Sequence, residues 1–326
     1  MTTATLPSRP GTPGRLRRLL VVPDGAYRVG LATVAAVFAL LLLAFVTSLV
    51  VQARPAFAHF GFGFLTGTKW DPVHGHLGAL TFVVGTLETT MIAMVIAVPI
   101  GLGTALALAY ALPRRLQAPL SMGVELLAAV PSVVYGLWGL LVVAPAVRTV
   151  LEPALAKLTG GHEPFGGIQE GIGLLLAGLI LSIMVLPTLV AISRDVLIAV
   201  PHEQVEGAYA LGATRWQVLR RVVVPHARAG LLGATTLATG RALGETIAVT
   251  MVIGNTVSFA HSLFAPTATM ASVIANEFTE ATEPFHLSAL VAVAVILLGV
   301  AILVNVTARL LVRSVGGRQR VGLGVA

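Results

Sequence analysis

The sequence predicts an all-α polytopic membrane protein with six transmembrane helices, and three observations carry the prediction. Only 11% of the 326 residues are charged, 56% are apolar, and the mean hydropathy is +0.91. A soluble domain carries roughly 25% charged residues, so much of this surface faces something other than water. Stretches such as VGLATVAAVFALLLLAFVTSLVV (29–51) run without a charge for long enough to cross a ~30 Å hydrocarbon core as a helix. Finally, Lys and Arg are segregated along the chain in the pattern of alternating cytoplasmic and external loops.

In chain order, residues 1–28 form a basic tail rich in Pro, Gly and Thr. It has the charge of a signal-peptide n-region, but the apolar run after it is too long for an h-region and lacks a clear small-residue cleavage site. A retained first helix over 29–51 is expected. Residues 52–83 read as an extracytoplasmic loop. A five-helix core over 84–315 follows, with spans near 84–112, 122–147, 171–192, 230–254 and 287–311, and residues 316–326 form a second basic tail. Pro99, Pro131, Pro145 and Pro187 fall in or near apolar spans, where neighbouring helices can satisfy the backbone groups that proline frees. The run AAVPSVVYGLWGL (128–140) reads either as a kink with close helix packing at Gly136 and Gly139, or as a kink lining a pathway with Ser132 as donor.

With the N-terminus inside, sixteen of the 21 Lys and Arg residues fall in cytoplasmic segments, four fall outside, and Arg241 lies within a span. The positive-inside rule then places both termini in the cytoplasm. Seven acids fall in external segments, so that face does not attract an anion from bulk solution. Cysteine is absent, which excludes disulfides and thiol chemistry. The histidines His59, His74, His76, His162, His261 and His286 show no ligand spacing and read as solvated. No G-x4-G-K-[ST] occurs, so the chain carries no P-loop for ATP.

The cytoplasmic connection 193–229 is too patterned for a loop. Pro201 can open a helix whose first turn holds His202, Glu203 and Gln204, and Gly212 can end it in the left-handed conformation. Thr214 and Gln217 form a T-x-x-Q capping box for a second helix, which Pro225 is expected to terminate. The HEQVE stretch fails as a zinc motif, because Glu206 stands where H-E-x-x-H needs its second His. A DNA-reading pair of helices, an amphipathic elbow on the bilayer and a knob docking into a soluble partner are the three readings of this element.

Within ATGRALGETIAV (238–249), Arg241 lies about eleven residues into its span, roughly 16 Å deep at ~1.5 Å per residue. An arginine there costs ~2.5–3.5 kcal/mol on insertion scales, so it requires a partner or a wet cavity. Glu245, one turn on, is expected on the same helix face. The pair either neutralises itself and pins the helix, or opens to let the guanidinium grip an oxyanion. Thr246 and Asn255 are further candidate pathway donors. Glu88 and Glu125 lie near span ends and read as snorkelling to water.

The pattern E-x-A-x3-G-x9-(I/V)-x-(L/V)-P, carried by Glu206, Ala208, Gly212, Val222, Val224 and Pro225, resembles the EAA loop of MetI-like permease subunits in bacterial ABC importers. Gly207 departs from the usual middle Ala, and Val222 and Val224 from Ile and Leu. FLTGTKWDP (64–72), VPSVVYGLWGL (130–140), LPTLVAISRDVLIAVP (186–201) and GRALGETIAVTMVIGN (240–255) together resemble the PstC permeases of phosphate importers over about residues 60–315. The sister PstA permeases share the R-A-x-G-E-T segment but usually continue toward APL.

The resemblance implies a type I ABC importer permease in the bacterial inner membrane. It implies a PstA-like sister permease, a PstB-like ATPase dimer that uses ATP and Mg, and a PstS-like binding protein delivering phosphate; no cofactor is expected in this chain. It places the segment holding Arg241, Glu245 and Thr246 on the substrate pathway, where Ser132 and Asn255 remain candidate donors, and the loop of Glu206, Ala208 and Gly212, with Arg215 and Trp216 beside it, at the ATPase contact. An importer of another oxyanion, such as sulfate or molybdate, and a membrane enzyme built on the Arg/Glu pair are the alternatives. The enzyme reading lacks a nucleophile or metal ligands beside the pair.

Overall fold

The computed structural model describes residues 24–316. The expected basic tails, 1–28 and 316–326, lie almost wholly outside the described residues. Helix α1 (Asp24–Phe60) is apolar through most of its length, and of the described residues those up to Val51 fall in one compact unit and those from Gln52 in a second.

In the second unit, the loop after α1 carries a helical turn, Gly63–Thr66, and a two-stranded antiparallel hairpin of β1 (Trp70–Asp71) and β2 (His76–Leu77). The hairpin's turn is held by Asp71, which accepts from the His74 backbone N–H at 3.1 Å and lies 2.6 Å from its ring. These hydrogen bonds keep the Asp71 carboxyl below its ordinary pKa.

The helices that follow are α2 (Leu80–Ala111), α3 (Arg114–Ala128), α4 (Ser132–Thr159) and α5 (Leu174–Ile198). After them come α6 (His202–Ala210), α7 (Arg215–Val218), α8 (Val224–Leu243), α9 (Ile247–Val252), α10 (Met270–Glu277) and α11 (Pro284–Gly316). Among the described residues, five helices are long and apolar enough to cross a membrane: α1, α2, α4, α5 and α11.

Two expected spans differ from this arrangement. The span expected at 122–147 is divided at residues 129–131, where Pro131 stands immediately before α4 with an extended ψ of 141°. Proline disfavours the helical conformation in the residue before it, so helix α3 ends and α4 starts afresh. Glu125 consequently sits exposed on α3, a helix with polar and apolar faces. The span expected at 230–254 is broken at Gly244–Thr246, between α8 and α9.

Helix α5 is the axis of the bundle, two thirds buried over its most apolar window, and packs along α2, α8 and α3. Approach between backbones is set by small residues, as membrane packing without a hydrophobic drive requires. A Cβ on Gly178 of α5 would lie 2.4 Å from the Ile92 side chain of α2. One on Gly136 of α4 would lie 2.8 Å from Met251 Sδ and 3.0 Å from Ala248 Cα of α9. The close-packing reading of the 128–140 segment is therefore correct for Gly136. Ala234, Ala238 and Ala242 of α8 complete the core with Ile180, Leu181 and Val185.

Candidate functional site

The break between α8 and α9 is the centre of the candidate site. Helix α8 ends on Leu243, Gly244 caps it, and Glu245 and Thr246 carry the chain to α9. Non-helical backbone is tolerated at membrane depth only inside protein or beside a wet cavity. The break uses local partners: Thr246 Oγ1 donates to the Gly244 carbonyl at 3.2 Å and its own carbonyl accepts from Thr250 N–H.

The expected Arg241–Glu245 ion pair is not formed. Four-residue spacing brings two side chains together only on an unbroken helix, and here the helix unwinds between them. The guanidinium of Arg241 is exposed and its Nη1 donates instead to Thr188 Oγ1 of α5 at 2.8 Å. Glu245 is half-buried and faces a cavity of about 10 Å³ whose walls include Thr86, Thr89, Thr90 and Thr269, close to the least volume that admits a water. The two charges thus have separate polar surroundings. Among the described residues, no carboxylate lies within ion-pair distance of Arg241.

Thr188 was missed by sequence reasoning. The signal was available in the hydroxyl directly after Pro187 in the apolar middle of α5, but helix periodicity alone does not say which neighbour a face meets. We expect Thr188→Val to lower transport by about tenfold or more and Thr188→Ser to retain it, because a neutral hydrogen bond to a charged group contributes roughly 1.5–3 kcal/mol. Initial uptake rates of the two variants decide this.

The remaining pathway candidates are dispersed. Ser132 opens α4 and is partly exposed. Asn255 adopts a left-handed φ of 51°, and its Nδ2 donates to the Thr250 carbonyl at 2.8 Å, closing the end of α9. Glu88 does not simply reach water as expected: its Oε2 is buried without a hydrogen-bond partner, beside a cavity of about 140 Å³ that His261 also lines. Loop residues Pro164, Ala260, Ser262 and Leu263 line the same cavity and shield it from solvent. His286 is also not solvated. It is largely buried, 2.9 Å from Glu277 Oε2, which accepts from Trp70 Nε1 as well.

The elbow 201–229 forms much as its local signals predict. Pro201 precedes α6, Gly212 takes a φ of 81°, and Thr214 and Gln217 make both halves of the capping box. Pro225 does not end the second helix. A wider turn over 219–223 carries α7 into α8, and Pro225 lies in the first turn of α8, where a missing N–H is harmless and the wide turn accommodates the ring. One side of the elbow is anchored: Val205, Val218 and Val223 pack with Leu197 and Leu108. The other side is bare, with Leu211 90% and Trp216 67% exposed, alongside exposed Glu206, Gly212 and Arg215; Ala208 is half-buried between the two sides.

The elbow thus leads from α5 into α8, the helix that breaks just after Arg241. Residues 97–317 match the family described as "Binding-protein-dependent transport system inner membrane component", and the chain belongs to that family. Its fold is also that of a chain in inward-facing structures of the MetNI methionine ABC transporter, with a TM-score of 0.53 at 19% identity, over 71% of this chain and 93% of that one. Among its relatives is the phosphate transport system permease protein PstC of Mesorhizobium japonicum, 45% identical over 87% of this chain and 88% of the relative. The protein of the same description from Haemophilus influenzae is 44% identical over 84% and 88%.

Proposed function

We propose that this chain is the permease subunit of an ATP-driven importer that passes inorganic phosphate into the cytoplasm of a bacterium. The observation that carries the reading is the Arg241 guanidinium: a full positive charge at a helix break, held by a hydroxyl and facing no carboxylate among the described residues. A guanidinium fork fits an oxyanion in bidentate fashion, and the names of the relatives identify phosphate as the anion.

Helices α8 and α9 together make a sixth crossing, and both termini face the cytoplasm, as the charge distribution requires. A PstA-like permease completes the membrane pathway. A PstB-like ATPase pair supplies the energy from ATP and Mg by pressing on residues 202–225, through Leu211, Trp216, Arg215 and Glu206. A PstS-like binding protein delivers the anion, consistent with an outer cleft lined by Glu277, Glu280 and Glu283, which repels free phosphate rather than collecting it. Glu245 acts on the bound anion from across the break. It accepts a hydrogen bond from a protonated phosphate oxygen, which fully ionised sulfate cannot offer, and its charge weakens the grip so that the anion leaves.

The test is uptake of labelled phosphate by vesicles containing the whole complex, with ATP inside and the binding protein outside. Excess unlabelled phosphate is expected to block uptake, and equal sulfate or molybdate to leave it unaffected. Stronger competition by either of those ions would assign the pathway to a different oxyanion.

A further inference from the structure

Helices α8 and α11 pack along each other and leave a groove of about 330 Å³ lined by Gly233, Thr236, Leu237, Asn305, Arg309 and Val312. No carboxylate lines it, and neither helix carries an acidic residue anywhere along its length. Arg309 is exposed and makes no ion pair among the described residues. The helices that build the groove have no counter-charge to offer it.

Other features equip the groove for an anion. Asn305 spends one amide hydrogen on the Ala301 carbonyl at 2.8 Å, which leaves its second N–H. Thr236 donates to the Leu232 carbonyl at 2.8 Å, which leaves its oxygen as an acceptor. Gly233 keeps the groove open, since nothing lies within 4 Å of where its Cβ would stand. A guanidinium fork, an amide N–H and a hydroxyl acceptor together match a tetrahedral oxyanion carrying one proton.

The position links the groove to the helix break. Leu237 and Gly233 precede Arg241 by four and eight residues, so they lie roughly 6–12 Å along α8 from it and on an adjoining face. The charge distribution puts that direction toward the cytoplasm.

We propose that this groove is a binding site for a phosphoryl-type oxyanion at the cytoplasmic end of the bundle, held by Arg309 with Asn305. Two sources share that chemistry: transported phosphate on its way out, and the headgroup of an anionic phospholipid at the level of the membrane surface. The first source rests on the transport reading above; the second does not.

The experiment uses the complete transporter in vesicles containing phosphatidylglycerol, with wild type, Arg309→Gln and Arg309→Lys. One measurement is inhibition of uptake by phosphate preloaded in the lumen, which is the cytoplasmic side. The other is phosphatidylglycerol retained on the purified complex, read by native mass spectrometry. For free phosphate, Arg309→Gln requires about tenfold more lumenal phosphate for the same inhibition, as loss of one charge-assisted contact predicts, and Arg309→Lys holds most of the wild-type response. For a headgroup, Arg309→Gln sheds the lipid that wild type and Arg309→Lys retain, and lumenal inhibition is unchanged. No change in either measurement for Arg309→Gln overturns the site. If wild type takes up no phosphate at all, the transport reading fails while lipid retention still decides the groove.

Discussion

Replacing Arg241 with Ala is expected to lower ATP-driven phosphate uptake at least about thirtyfold while the complex still assembles. The side chain is exposed, it donates to Thr188 Oγ1, and among the described residues no carboxylate depends on it for neutralisation. Truncation therefore removes one hydrogen bond from the fold and strands no buried charge. Its effect on a bound anion is much larger. When the sister permease closes the pathway and shuts the anion away from water, removing one partner of such a hydrogen-bonded charge pair costs about 2–5 kcal/mol, and each 1.4 kcal/mol is a factor of ten. Arg241→Lys keeps the charge but loses the fork, so an intermediate rate is expected. Uptake of labelled phosphate, normalised to complex recovered with its partner subunits, makes the comparison. A rate within twofold of wild type at normal recovery would remove Arg241 from the pathway.

The contrast between Arg241 and the elbow explains what was legible in the sequence. The elbow is built from local signals: Pro201 sets a start, Gly212 supplies the left-handed residue, and Thr214 and Gln217 satisfy each other's backbone over three residues. Each device acts within one turn, so the amino-acid order determines it. The membrane helices are legible for a similar reason, since long apolar runs have few alternatives in lipid.

The breaks were not legible because hydropathy does not register them, although the groups that make them are local. An apolar run from 122 to 147 gives no sign by hydropathy that Pro131 separates two helices instead of kinking one. Gly244–Glu245–Thr246 reads as a continuing helix by hydropathy, whereas in the structure Thr246 Oγ1 donates to the Gly244 carbonyl at the break. The ion pair inferred from spacing failed on this point: the four-residue rule assumes the helix that the two charges were meant to stabilise. Glu88 and His286 show the same limit, since their burial depends on which loops fold over them.

Gly212→Val is expected to uncouple the transporter, and the reason lies in the backbone alone. Nothing stands within 4 Å of where a Cβ on Gly212 would project, yet its φ of 81° is one that β-branched residues strongly disfavour. The cost, on the order of 1–3 kcal/mol, cannot be met by moving a neighbour. It is relieved only if the turn between α6 and α7 changes shape. In the proposed complex, that turn sets how the bare face of the elbow, Leu211 beside Gly212 and Trp216 a turn further on, meets the ATPase. The anchored face, built from Val205, Val218 and Val223, keeps the helices attached to the bundle, so the chain still inserts. Asparagine tolerates the left-handed region far better than valine, and Gly212→Asn separates strain from loss of an open surface. The expected order is near-normal uptake for Asn and a loss of tenfold or more for Val, with the ATPase released or hydrolysing without transport. Equal, undiminished co-purification and uptake in both variants would show that this turn does not transmit the ATPase stroke.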